Sequence, residues 1–141
     1  MKIAVLEPLG ISDDSLRGLL AKATDGHEVE VVTYPDRKED EASLIERSAD
    51  ADIVVVSNIK YPSSVMEKKP NLKYVCVAFT GYDHVDMAYC REHGIQVSNC
   101  AGYSTVAVAD LVFGLTLDVL RNISTLNAIV RQGGTKDGLV G

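Results

Sequence analysis

NLKYVCVAFTGYDHVDMAYCREHGIQVSNCAGYSTVAVADLVFGLTLDVLRNI, residues 71–123, is the stretch whose reading decides the fold. The apolar run 73–78 predicts a strand, and Gly81 falls in the turn after it. A short helix follows over 85–92 and stops at Gly94; 95–98 is a further short strand. A second glycine turn, 99–104, then leads into one long apolar helix over 105–120. Two backbone turns therefore stand at the ends of neighbouring strands, where parallel α/β sheets bind small anionic ligands.

The same rhythm extends upstream. KIAVL, 2–6, reads as a strand apolar on both faces, ended by Glu7, Pro8 and Gly10. Ser12 or Asp13 can cap a helix in which Leu16, Leu19 and Leu20 share a face, closed by Asp25 and Gly26. EVEVVTY, 28–34, alternates at its start and predicts an edge strand; 41–48 predicts a helix. DIVVVS, 52–57, is the most apolar strand and predicts a central one, and Pro62 opens a short helix to about Lys68. Five strands with helices between them predict a doubly wound parallel sheet in the flavodoxin-like order 2-1-3-4-5, followed by a long C-terminal helix.

That helix is apolar nearly all round, from Val106 and Val108 to Val119 and Leu120. Asp110, Gly114, Asp118 and Arg121 make one narrow polar seam. A helix with a single packing partner shows an apolar stripe only a little over 100° wide. A second domain, a second subunit or both are therefore expected on it. A further helix over 124–132 ends at Gly133-Gly134, and 133–141 reads as loop. The expectation is a chain that stops before a packed closing element.

Bulk properties narrow the function classes. A chain of 141 residues fits one domain, or one domain plus part of a second. The net charge of −6, with Lys and Arg dispersed, argues against a nucleic-acid or anionic-membrane surface. Cys76, Cys90 and Cys100 have neither zinc spacing nor an even count, so buried reduced thiols are expected and no metal. No apolar run reaches the ~18 residues of a membrane span. No secretory signal pattern opens the chain, which predicts a cytoplasmic protein.

Motifs for chemistry are mostly missing: no GxGxxG, no GxxxxGK[ST], no HExxH and no GxSxG. His27 and His93 read as surface residues, and His84 either packs its turn or touches a ligand. In the turn 79–83, Gly81 can bring backbone N–H groups close to a carboxylate, or can simply permit a tight turn with Asp83 capping the next helix. Tyr103, Ser104 and Thr105 open the long helix, whose free N–H groups favour an anion; Ser104 as a plain N-cap is the alternative. Asn58, just past the central strand, could add an amide side chain to the same crevice.

The words NLKYVCVAFTGYDHVD, GIQVSNCAGYSTVAVAD and the L-x-L-x-x-x-R-N run ending at Arg121-Asn122 resemble the N-terminal part of the D-isomer-specific 2-hydroxyacid dehydrogenases. The resemblance implies a flavodoxin-like substrate domain over 1–101, then a hinge, the long helix and the start of a dinucleotide-binding domain over 102–141. It implies that Thr80 and Gly81 offer amides to a substrate carboxylate, and that Tyr103 and Ser104 line the same cleft. Thr105 would lie near the nicotinamide, and the helix opening at Thr105 and running to Leu120 would pair two copies. It implies NAD or NADP and a small 2-hydroxy or 2-keto acid for the complete protein. Gly141 falls before the family's GxGxxG and its arginine, acid and histidine. No catalytic residue is therefore carried over, no cofactor is expected on this chain, and the chain is expected to be inactive alone. A non-enzymatic module that dimerises through the helix is the competing reading. A phosphoacceptor receiver is disfavoured because Glu7 stands alone and Ser57-Asn58 follows the third strand. Pro8-Leu9-Gly10 likewise offers no FMN phosphate loop.

Overall fold

The computed structural model describes residues 1–135. The loop reading of 136–141 lies outside the described residues. The strands are β1 (Lys2–Val5), β2 (Glu30–Thr33), β3 (Ile53–Val56), β4 (Tyr74–Val77) and β5 (Gln96–Asn99). They form one parallel sheet in the order β2-β1-β3-β4-β5, with β3 at its centre. Between them lie α1 (Asp13–Ala23), α2 (Glu41–Arg47), α3 (Ser63–Met66) and α4 (Met87–Glu92).

The central strand β3, IVVV, is a continuous Val/Ile run because both faces of the sheet are covered there. Ala4, Val54, Val56, Val75 and Val77 point to one face, where Leu44 of α2, Val65 and Met66 of α3 and Cys90 of α4 bury them. Ile3, Val5 and Val55 point to the other, against Leu16 and Leu20 of α1. That second layer is thinner: no residue of α1 is fully buried, and Leu19 is 59% exposed rather than on the packed face. Ser12 caps α1 through the Ser15 N–H, and Asp40 caps α2 through the Ser43 N–H.

The local readings of α3 and α4 change. Val85 is not helical; it is buried in a parallel bridge to Tyr61, and α4 starts two residues later. Its cap is therefore Asp86, whose carboxylate accepts from the Tyr89 N–H at 3.0 Å, and not Asp83. Pro62 precedes α3 in an extended conformation instead of sitting inside its first turn, and α3 ends at Met66.

The chain divides into two units, Met1–Ala101 and Gly102–Gly141. The described part of the second contains α5 (Thr105–Arg121) and α6 (Ile123–Arg131). Asn122, at φ 51°, takes the left-handed conformation that breaks one helix from the next. Asp118 bridges the break, its carboxylate accepting from the Ser124 N–H at 2.7 Å and from the Ser124 hydroxyl. No residue of α5 is buried, and Val106, Phe113 and Val119 are each more than 70% exposed.

Candidate functional site

Parallel pairing puts the C-terminal ends of β1, β3, β4 and β5 on one edge of the sheet. Glu7 follows β1 there and is almost fully buried. Its Oε1 accepts from the backbone N–H groups of Ser57, Asn58 and Ile59 at 2.7, 2.9 and 3.0 Å. Its Oε2 pairs with Arg37 Nη1 at 3.1 Å, and the same guanidinium donates to Asn58 Oδ1. The turn after β3 is therefore built on a buried carboxylate. Reading Glu7 as a strand terminator missed this. The available signal was an ionisable residue directly following a buried apolar strand, where a charge needs partners.

The turn after β4 lies beside it, since Val56 and Val77 are in register and Ala78 N–H donates to the Val56 carbonyl. Phe79, Thr80, Gly81, Tyr82 and Asp83 are all exposed. Phe79 O accepts from Cys100 N–H at 2.9 Å, and Thr80 O accepts from Asn99 Nδ2 at 2.7 Å. The N–H groups of Thr80 and Gly81 donate to no other group among the described residues. Gly81 has no positive φ, and a Cβ built on it meets nothing within 4 Å. Neither a positive φ nor crowding therefore requires glycine in this turn. Gly18 and Gly114 are equally open, so openness alone marks no site; the strand-end position does.

His84 packs this turn. Its carbonyl accepts from Tyr61 N–H at 2.8 Å, and its ring Nε2 is buried without a hydrogen-bond partner. Burial holds its proton affinity below the ordinary histidine range, against the opposing carboxylates of Glu7 and Asp83. Burial likewise raises the Cys76 thiol, and raises the Tyr61 phenol to about 12.

Asn58, Thr80 and Gly81 thus stand on adjacent strand ends within the first unit. Tyr103, Ser104 and Thr105 belong to the second. Ser104 occupies the N-cap position of α5, yet its hydroxyl makes no capping hydrogen bond. Thr105 N–H donates to the Gly102 carbonyl at 3.3 Å, and Gly102 has φ 86°. The side chain of Asn58 is tied to Arg37 through its carbonyl oxygen.

The sequence model for the D-isomer specific 2-hydroxyacid dehydrogenase, catalytic domain, matches residues 3–134. This chain belongs to that family. A hydroxypyruvate reductase of Blautia hydrogenotrophica is 34% identical over an alignment of 137 residues that covers 94% of this chain and 40% of the relative. A D-3-phosphoglycerate dehydrogenase of Methanocaldococcus jannaschii is 36% identical over 134 residues, 94% of this chain and 24% of that one. Among solved structures, an NADPH-dependent glyoxylate/hydroxypyruvate reductase of Sinorhizobium meliloti, in complex with NADP and malonate, superposes with a TM-score of 0.72. It is 30% identical, with 94% of this chain and 38% of the other covered. The chain therefore spans less than half the length of these family members. The sequence has no GxGxxG, and the described residues of the second unit form helices with no strand for a phosphate-binding turn to follow. Among the described residues no cluster of His, Cys, Asp or Glu could hold a metal ion. None of their helices is long and apolar enough to cross a membrane.

Proposed function

We propose that the chain is the substrate-binding portion of an NAD(P)-dependent D-2-hydroxyacid dehydrogenase acting on a small 2-keto or 2-hydroxy acid. The observation that carries this reading is the pair of uncommitted, exposed amides of Thr80 and Gly81 at the end of β4. Successive N–H groups of this kind form an anion-binding concavity matched to a carboxylate. In this reading 1–101 is the substrate domain, and 102–141 holds the hinge and the first helices of a cofactor domain. Asn58 contacts the rest of the substrate through its side-chain amide. Tyr103 and Ser104 line the cleft of the complete enzyme, with Thr105 toward the nicotinamide. In the complete enzyme, bound NAD or NADP would supply or accept the hydride. This chain neither binds it nor provides the acid–base group that moves the substrate proton.

The α5 helix seats a second copy of the chain, which supplies the cover its exposed apolar girth requires. That exposure also favours the second reading, a dimerisation module without catalysis. The two separate on binding: the module dimerises but takes up no keto acid. For the dehydrogenase reading, the purified chain mixed with NADH or NADPH and a panel of 2-keto acids is expected to oxidise no cofactor above background. It is nonetheless expected to bind the acids weakly. Turnover by the chain alone overturns the division of labour, and absence of binding overturns the carboxylate assignment.

A further inference from the structure

We infer that Asn99 is a positioning residue that aims the anion-binding amides after β4, an inference that rests on the carboxylate reading of that turn. In a peptide unit, a trans bond sets C=O and N–H antiparallel. No cis bond occurs among the described residues. Phe79 O is drawn toward β5 by Cys100 N–H at 2.9 Å, so the Thr80 N–H on the same plane points away from β5. In a regular strand the next carbonyl would turn to the opposite side. It does not. Thr80 O is held by Asn99 Nδ2 at 2.7 Å, so the Gly81 N–H also points away from β5. Two successive N–H groups facing one way are what a carboxylate needs.

The two planes are held differently. The first is fixed by a backbone donor, which any residue at position 100 except proline supplies. The second depends on a side-chain NH2, and Asn99, half-buried as the last residue of β5, provides it. Serine or alanine at that position leaves the Thr80–Gly81 plane free to rotate. Aspartate keeps the shape but, when ionised, can only accept hydrogen bonds.

The test is NMR on the full 15N-labelled chain, with glyoxylate as the probe. N–H residual dipolar couplings report the two planes separately. In Asn99→Ala the Gly81 coupling is expected to change while that of Thr80 stays put, and glyoxylate binding is expected to weaken about tenfold. In Asn99→Asp binding is expected to fall at neutral pH and recover on acidification, as the protonated acid regains a donor. The alanine variant shows no such recovery. Unchanged Gly81 coupling and unchanged binding in Asn99→Ala overturn the inference, as does a pH response shared by both variants. If the unsubstituted chain itself fails to bind glyoxylate, the carboxylate reading falls. The dipolar couplings still decide whether Asn99 sets the plane.

Discussion

At the end of β4, Gly81 has no positive φ and open space where a side chain would sit, so neither its backbone φ nor its packing demands a glycine. Gly81→Ala is expected to leave thermal stability unchanged or raise it by about 0.4–1 kcal/mol, since it narrows the unfolded ensemble. Gly81→Val is expected to abolish keto-acid binding with the far-ultraviolet circular dichroism intact. Glu7 is the opposite case, a residue whose work is internal. Glu7→Ala orphans three backbone N–H groups and removes one of the two carboxylates paired with Arg37, the other being Glu39, with an expected loss of about 3 kcal/mol in urea unfolding. Glu7→Gln keeps one acceptor oxygen and is expected to cost less. For His84, burial lowers the folded-state pKa below the unfolded 6.5. The unfolded chain therefore takes up the proton first as pH falls, and stability drops on acidification through that range. The melting temperature is expected to fall less between pH 7 and pH 5 in His84→Gln than in the unsubstituted chain.

Among the elements, α5 was the most legible in outline. Its apolar residues exceed any single stripe, and in the structure not one of them is buried. Phe113→Glu combined with Leu117→Glu should leave the first unit's stability unchanged and shift sedimentation from dimer to monomer. A monomeric unsubstituted chain at high micromolar concentration contradicts pairing through α5. The strands were legible because runs such as IVVV have no other comfortable place than a sheet covered on both faces. Short helices were less so. Val85 carries a helical pattern into α4, but burying it against Tyr61 outcompetes one more turn of helix, and Asp86 then takes the cap. The candidate turns were visible from Gly81 and its strand. The Glu7 support of Ser57–Ile59 and the Asn99 tether of Thr80 were not, because each joins residues that only the strand order brings together.

At the scale of the whole molecule, the first unit is a finished parallel sheet with a polar edge, and the second, in its described residues, is helix without a sheet of its own. The chain belongs to the 2-hydroxyacid dehydrogenase family and spans less than half of its relatives' length, and the proposal gives its first unit the task of holding the substrate carboxylate. The measurement that bears most directly on this is a glyoxylate titration of the 15N-labelled chain followed through its amide resonances. The account predicts saturable downfield shifts at Thr80 and Gly81, with smaller changes at Asn58 and none on the β2 edge. Resonances of Thr80 and Gly81 that stay still while the acid reaches high millimolar concentration would contradict it.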